Sequence, residues 1–352
     1  MQKVRLGDIA ILINGDRGKN YPSQVDITND GEVPFVNAGH LNGREIAFDE
    51  MNYISKDKYE KLSSGKFQEG DILYCLRGSI GKKAIVSTDI KGAIASSLVI
   101  IRPNSEKLYG EYLMLALESP AIKKQLTKAN NGSSQPNLSA ASVREYEIEL
   151  PELLIQREVV EKLVKVRDII DNRRQELQLL DDLIKARFVE MFGDVKYGIE
   201  RWGGKPFKDI AINLDSKRKP VKDADRKKMQ GIYPYYGATG IVDYVNDYRQ
   251  DGEFLLISED GKALELRSKP IAFLASGKIW INNHAHVQQC TDECNIIYLM
   301  YHINFMDVSI WVTGIDQKKL NRANLNTIPI ALPPIELQKQ FADFVKQVDK
   351  SK

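Results

Sequence analysis

The sequence predicts an α+β chain of two similar domains, separated by a long central helix that pairs antiparallel with a shorter C-terminal helix. Three observations predict it: a repeated tail, a stretch without Gly or Pro between the copies, and short strand-like runs inside each copy.

The repeated tail aligns without gaps at an offset of 182 residues. Its first copy runs from Asn131-Gly132-Ser133-Ser134-Gln135-Pro136-Asn137-Leu138 to Leu150-Pro151-Glu152-Leu153-Leu154-Ile155-Gln156. Its second runs from Thr313-Gly314-Ile315-Asp316-Gln317-Lys318-Lys319-Leu320 to Leu332-Pro333-Pro334-Ile335-Glu336-Leu337-Gln338. The starts match as well, Leu6-Gly7-Asp8-Ile9-Ala10 with Phe207-Lys208-Asp209-Ile210-Ala211. So long a period is no solenoid repeat and implies two whole domains. Their expected bounds are 1–150 and 195–332, with helical segments at 151–194 and 333–352.

From Leu153 to Met191 the residues are mostly strong helix formers. Leu163, Ile170, Leu177, Ile184 and Met191 recur every seven residues, with Val159, Val166 and Leu180 on the companion seam. Such a heptad stripe wants a helix against it. Arg173 and Arg187 interrupt the seam, so it is no plain homodimeric zipper. Pro151 precedes the start and Gly193 is placed to cap the end. At 1.5 Å per residue the rod is about 58 Å long. After Pro333-Pro334, Leu337, Phe341, Phe344, Val345 and Val348 repeat at helical spacing. This shorter helix is expected to lie on part of the long one, with Leu163, Val166, Ile170, Leu177, Leu180, Ile184, Phe341 and Val345 at the spacer or subunit contact.

Within the domains, Asp71–Leu76, Ser97–Ile101, Phe254–Ile257 and Lys278–Ile281 have the composition of short strands. Glu111–Lys128 and Tyr298–Phe305 are expected as helices, and Arg77-Gly78-Ser79-Ile80-Gly81 as a turn.

Composition narrows the function classes. A 43% hydrophobic and 28% charged chain is globular rather than disordered. No run of 18 apolar residues spans a membrane. No charged-then-apolar leader opens the chain, and three cysteines form no disulfide framework; both point to the cytoplasm. The formal charge is only +2, with 19 Lys+Arg against 19 Asp+Glu in residues 1–150 and 19 against 16 in residues 196–332. Any phosphate-binding surface must come from local segregation of charge or from a partner.

The ordered motifs resemble the specificity subunits of type I restriction–modification systems over nearly the whole chain. Leu6-Gly7-Asp8, Gly70-Asp71-Ile72-Leu73 followed by Arg77-Gly78-Ser79-Ile80-Gly81, and Ile101-Arg102-Pro103-Asn104 carry the resemblance. So do Gln135-Pro136-Asn137-Leu138, the Pro–Gln segment opening each helix, and Ala186-Arg187-Phe188 through Phe192-Gly193-Asp194. The resemblance implies two target-recognition domains reading the halves of a split double-stranded DNA target. It also implies two methyltransferase (modification) subunits and restriction subunits as partners. Adenine methylation and cleavage would then lie on those partners, with S-adenosylmethionine and ATP bound there and no cofactor in this chain. The shortened C-terminal helix departs from the family pattern. Two other readings fit the same two-domain plan: a specificity subunit of a different methylation or cleavage system, and a coiled-coil scaffold with two protein-binding domains.

No catalytic set emerges from the residues. Gly78-Ser79-Ile80-Gly81-Lys82-Lys83 lacks the spacing and hydroxyl of a nucleotide-binding loop. His284, His286, Cys290 and Cys294 offer zinc-type ligands at no zinc spacing, so no metal is expected. The polar and basic loops are the better candidates for DNA. In the first domain these are Arg17, Lys19, Asn20 and Tyr21, then Arg77, Ser79, Lys82 and Lys83, then Ser133, Ser134, Gln135 and Asn137. In the second they are Lys217, Arg218 and Lys219 (with Lys222 close by), Tyr235 and Tyr236, Lys278, Trp280, Asn282, Asn283 and His284, and Gln317, Lys318 and Lys319. Arg and Asn pair bidentately with guanine and adenine edges, while Lys and Ser more often hold phosphates.

Overall fold

The computed structural model describes residues 2–87, 89–130, 136–267, 269–314 and 317–352. The chain divides into two compact units, residues 1–171 and 172–352, each with its own core.

In chain order the first unit contains β1 (Gln2–Arg5), α1 (Leu6–Ile9), β2 (Ala10–Asn14), β3 (Ile72–Cys75), β4 (Lys83–Ile85) and β5 (Leu98–Pro103). Then come α2 (Gly110–Glu118), α3 (Pro120–Ala129), α4 (Ala140–Arg144), β6 (Glu147–Leu150) and the start of α5 (Leu153–Phe192). The four-stranded antiparallel sheet has the order β2-β5-β3-β4. Its central strands are apolar on both faces because both are covered. Ile72, Tyr74, Val99 and Ile101 pack against Leu113, Met114 and Leu117 of α2. The alternate residues Leu73, Cys75, Leu98 and Ile100 join Val36, Phe67 and Ile94 from a small second sheet. β1 and β6 close the unit as an antiparallel pair.

The second unit repeats this plan. It contains β7 (Gly204–Pro206), α6 (Phe207–Ile210), β8 (Ala211–Asn213), β9 (Gln230–Gly237), β10 (Gly240–Val245), β11 (Gln250–Ser258), β12 (Ala272–Ile281) and β13 (Ala285–Cys290). α7 (Ile296–Phe305), α8 (Arg322–Thr327), β14 (Pro329–Ala331) and α9 (Ile335–Asp349) follow. Here the sheet order is β8-β13-β11-β12-β9-β10, two strands longer at one end. The registers are the same: Ala10 pairs Pro103 as Ala211 pairs Cys290, and Cys75 pairs Leu98 as Ser258 pairs Ala285. Leu255 and Ile257 pack with Leu299 and Ile303 of α7, and Phe254 and Leu256 join Ile279, Ile281 and Val287 in a separate cluster. The duplication in sequence is therefore a duplication of strand register.

One expectation changes and another is borne out. The helix foreseen over Glu111–Lys128 is two helices, because Pro120 starts α3 at a position where its missing N–H costs nothing, and the Ser119 hydroxyl accepts from Ile122 N–H. The heptad stripe of α5 is covered over part of its length by the shorter helix, as expected. Ile184, with half-buried Leu180, packs against Phe341, Val345 and Val348 of α9. The pair is antiparallel: Phe341 meets Phe188 and Phe192 at 5.3 and 5.6 Å, while Arg173 donates to the Lys352 carbonyl at 2.6 Å. Leu177 is half-buried. Leu163, Val166 and Ile170 stay 47%, 51% and 46% exposed, beyond the reach of α9. α9 has 15 residues, about 22 Å of helix, and cannot line a stripe of twice that length. Gly193, at φ +85°, follows the last helical residue as the expected left-handed cap.

Candidate nucleic-acid interface

Each unit gathers three segments at the same end of its sheet: the loop after β2 or β8, the turn after β3 or β11, and the tail loop before α4 or α8. In the first unit Arg77 forms a backbone bridge with Asn137; in the second, Asp260 bridges Lys319. Counting on from the shared registers, Arg77 corresponds to Asp260 and Arg17 to Arg218. The contacts agree. Arg17 Nη2 donates to the Ser96 carbonyl at 3.4 Å, and Arg218 Nη1 to the corresponding Asn283 carbonyl at 3.4 Å.

In the first unit these segments surround a cavity of 310 Å³ lined by Asn14, Arg17, Arg77, Asn137 and Ser139. Gly78 (φ +76°) and Gly81 (φ +80°) form the turn beyond Arg77 in a backbone region that favours glycine. A Cβ on Gly81 would come within 2.6 Å of Leu126. Arg77 and Arg17 are exposed, and among the described residues neither meets a carboxylate.

The second unit fills the same place with a partly buried charge network. Arg218 lies 2.6 Å from Glu259 and 3.4 Å from Asp215, and Lys319 lies 2.9 Å from Glu259. The ring of His286 is 2.7 Å from Asp215 and 2.8 Å from the Leu320 carbonyl. Burial pushes the Asp215 carboxyl up, but hydrogen bonds and charge from His286 outweigh it and hold the group below the usual range. For Glu259, burial is likewise overcome by Arg218 and Lys319. His284 pairs with Asp260 at 2.8 Å.

The structure sorts the sequence candidates by access. Arg17, Lys19, Arg77, Ser79, Asn137, Lys217, Lys219, Lys278, Asn283, His284, Gln317 and Lys319 are exposed, and Lys318 is half-exposed. Ser133, Ser134 and Gln135 lie outside the described residues. Several others are buried or already hold a partner within the unit. Lys83 is 7% exposed and paired to Glu118, and Lys82 donates to the Ala38 carbonyl. Tyr21 packs edge-on against Phe35, its hydroxyl accepting from Ser96 N–H, and Asn20 donates to the Lys61 carbonyl. Tyr235, Tyr236, Trp280 and Asn282 are buried, and Trp280 donates to the Lys219 carbonyl. Arg218 is held by its acids. Tyr235, Tyr236 and Trp280 lie on sheet strands, where aromatic bodies are drawn into the core.

Cys294 is buried, its thiol pushed up by the hydrogen-bonded Cys290 thiol and by burial. With His286 committed to Asp215, the described residues hold no cluster of three or more His, Cys, Asp or Glu for a metal.

One repeated residue had no role in the sequence reading. Gln156 is fully buried, accepting from Tyr109 N–H at 2.8 Å and donating to the Lys107 and Pro151 carbonyls at 2.8 Å each. Gln338 does the same with Asn295 N–H at 2.8 Å and the Glu293 and Pro333 carbonyls at 3.2 and 2.8 Å. Each glutamine ties the root of its helix to the residue that caps α2 or α7. Its presence at matching positions of both tails was the signal.

The family described as type I restriction modification DNA specificity domain matches residues 1–181 and again residues 199–352. The chain belongs to this family. Its two matches fall on the two registers of the duplicated sheet. A Haemophilus influenzae protein, provisionally named a type I restriction enzyme specificity subunit, is 40% identical over 137 residues, 39% of this chain and 34% of that protein. A Methanocaldococcus jannaschii protein, provisionally named the MjaX specificity subunit, is 20% identical over 341 residues, 90% of this chain and 80% of its own length. The crystal structure of a type I restriction-modification S subunit from M. genitalium has the same fold: TM-score 0.63 at 15% identity, over 99% of this chain and 89% of that one. No described helix is long and apolar enough to cross a membrane.

Proposed function

We propose that this chain is the DNA-reading specificity subunit of a type I restriction–modification complex, each unit recognising one half of a bipartite target. The observation that carries the reading is the pair of matching sheet ends, each presenting three loops on a repeated scaffold with unlike side chains at corresponding positions. A rigid sheet that displays variable loops suits recognition, since loop chemistry can change without disturbing the core. The exposed residues sorted above, Arg17, Arg77, Asn137, Lys217, Lys278 and Lys319 among them, supply base and phosphate contacts. The continuous helix Leu153–Phe192 acts as the spacer.

Methyltransferase and restriction subunits are the proposed partners, in the cytoplasm. S-adenosylmethionine and ATP belong to them, and adenine methylation proceeds on a base flipped into the methyltransferase. The near-neutral charge of this chain leaves much of the phosphate neutralisation to those partners. The test is DNA binding by the chain together with its methyltransferase. Sequence-dependent affinity that falls steeply with salt supports the reading; salt-independent or sequence-blind binding favours the protein scaffold instead.

A further inference from the structure

The two sheet ends differ most in how they treat one repeated arginine. In the second unit Arg218 is neutralised by Asp215 and Glu259. The corresponding positions in the first unit hold Asn14 and Leu76, so Arg17 keeps its charge and most of its donors. Arg77 stands where the second unit has Asp260, and its guanidinium meets no acceptor among the described residues. Both arginines line the 310 Å³ cavity, whose lining includes no lysine and no carboxylate.

We propose that Arg17 and Arg77 determine specificity by reading a guanine within the half-site of the first unit, an inference that rests on the function proposed above. A guanidinium offers only donors in a planar fork, and guanine is the base whose major-groove edge shows two adjacent acceptors, N7 and O6. Adenine places an amino donor where O6 would be, which repels the fork. Asn14 and Asn137, beside the arginines, can serve the neighbouring base pair, since an amide both donates and accepts. The second unit has no such unpaired arginine at this position, so the guanine requirement belongs to one half-site alone.

A guanidinium also fits a phosphate, and the choice of variants separates the two. Lysine preserves the charge that a phosphate needs but not the fork that a guanine edge needs. Arg77→Lys, Arg77→Gln and Arg17→Lys are assembled with the partner subunits, and methylated sites are mapped by sequencing. The expected result is relaxed choice at one G·C pair of one half-site for both Arg77 variants. Methylation of the original site should fall roughly 5- to 150-fold, with the other half-site and the spacer unchanged. Arg17→Lys should relax the same half-site. The proposal is overturned if Arg77→Lys restores the original motif and rate, or if Arg77→Gln lowers methylation uniformly with the motif intact. A wild-type complex that methylates no bipartite motif would instead remove the reading beneath it.

Discussion

The helix roots and the sheet ends of this molecule have diverged to very different degrees. At the roots, Gln156 and Gln338 make equivalent sets of three hydrogen bonds to corresponding backbone positions of their own units. At the sheet ends, Asn14, Leu76 and Arg77 occupy the positions that Asp215, Glu259 and Asp260 hold in the second unit. A duplicated protein can keep its scaffold only where the job is identical, and can vary it only where the jobs differ. The difference separates what holds a unit together from what that unit recognises.

Four perturbations probe this contrast. Phe341→Ala removes the ring that Phe188, Phe192 and Tyr301 pack around, and should destabilise the second unit by about 3–5 kcal/mol in denaturant melts. Gln156→Leu and Gln338→Leu each strand a buried N–H and two carbonyls, costing about 2–4 kcal/mol apiece. Equal losses would confirm that the roots are equivalent, and a silent variant at either root would refute it.

The third concerns acid. His302 is fully buried in α7, and burial pushes its pKa down to about 4, while Ala116 occupies the corresponding place in α2. The folded state resists protonation, whereas the unfolded histidine titrates near 6.5. The stability that neutral His302 contributes is therefore complete above pH 6.5 and lost as pH falls towards 4, up to about 3 kcal/mol. Melting curves across that range should show a component that His302→Gln flattens. An unchanged acid profile in the variant would rule this out. The smallest effect belongs to the bare part of the spacer. Leu163→Ala, at a residue 47% exposed, should shift stability of the isolated chain by no more than about 0.5 kcal/mol. A loss near that of Phe341→Ala would show that this stripe is covered in solution.

The sequence made the architecture legible because periodicity reports burial directly. Duplicated tails, the Gly- and Pro-free helix and the apolar strands all fell where backbone and core demand them. The DNA-contact candidates were harder to read, because residue type says little about which way a strand presents a side chain. Trp280 and Tyr235 look like ideal nucleic-acid residues and are buried. Lys83 is a strand residue whose charge goes to Glu118. The silencing of Arg218 depended on Glu259, 41 positions away in the chain, and no local pattern exposes such a pairing. The heptad stripe was legible as a helix that wants a partner: α9 covers the part after Arg173, as its shorter length predicts, and the rest stays exposed in this chain.

Mapping the methylated sites in cells that carry this chain with its proposed methyltransferase partner tests whether each unit reads its own half-site. Two units with unlike sheet ends on a repeated scaffold require a bipartite motif of unequal halves at a fixed spacing. A contiguous motif, or two halves identical by symmetry, would show that the two units do not read separate half-sites.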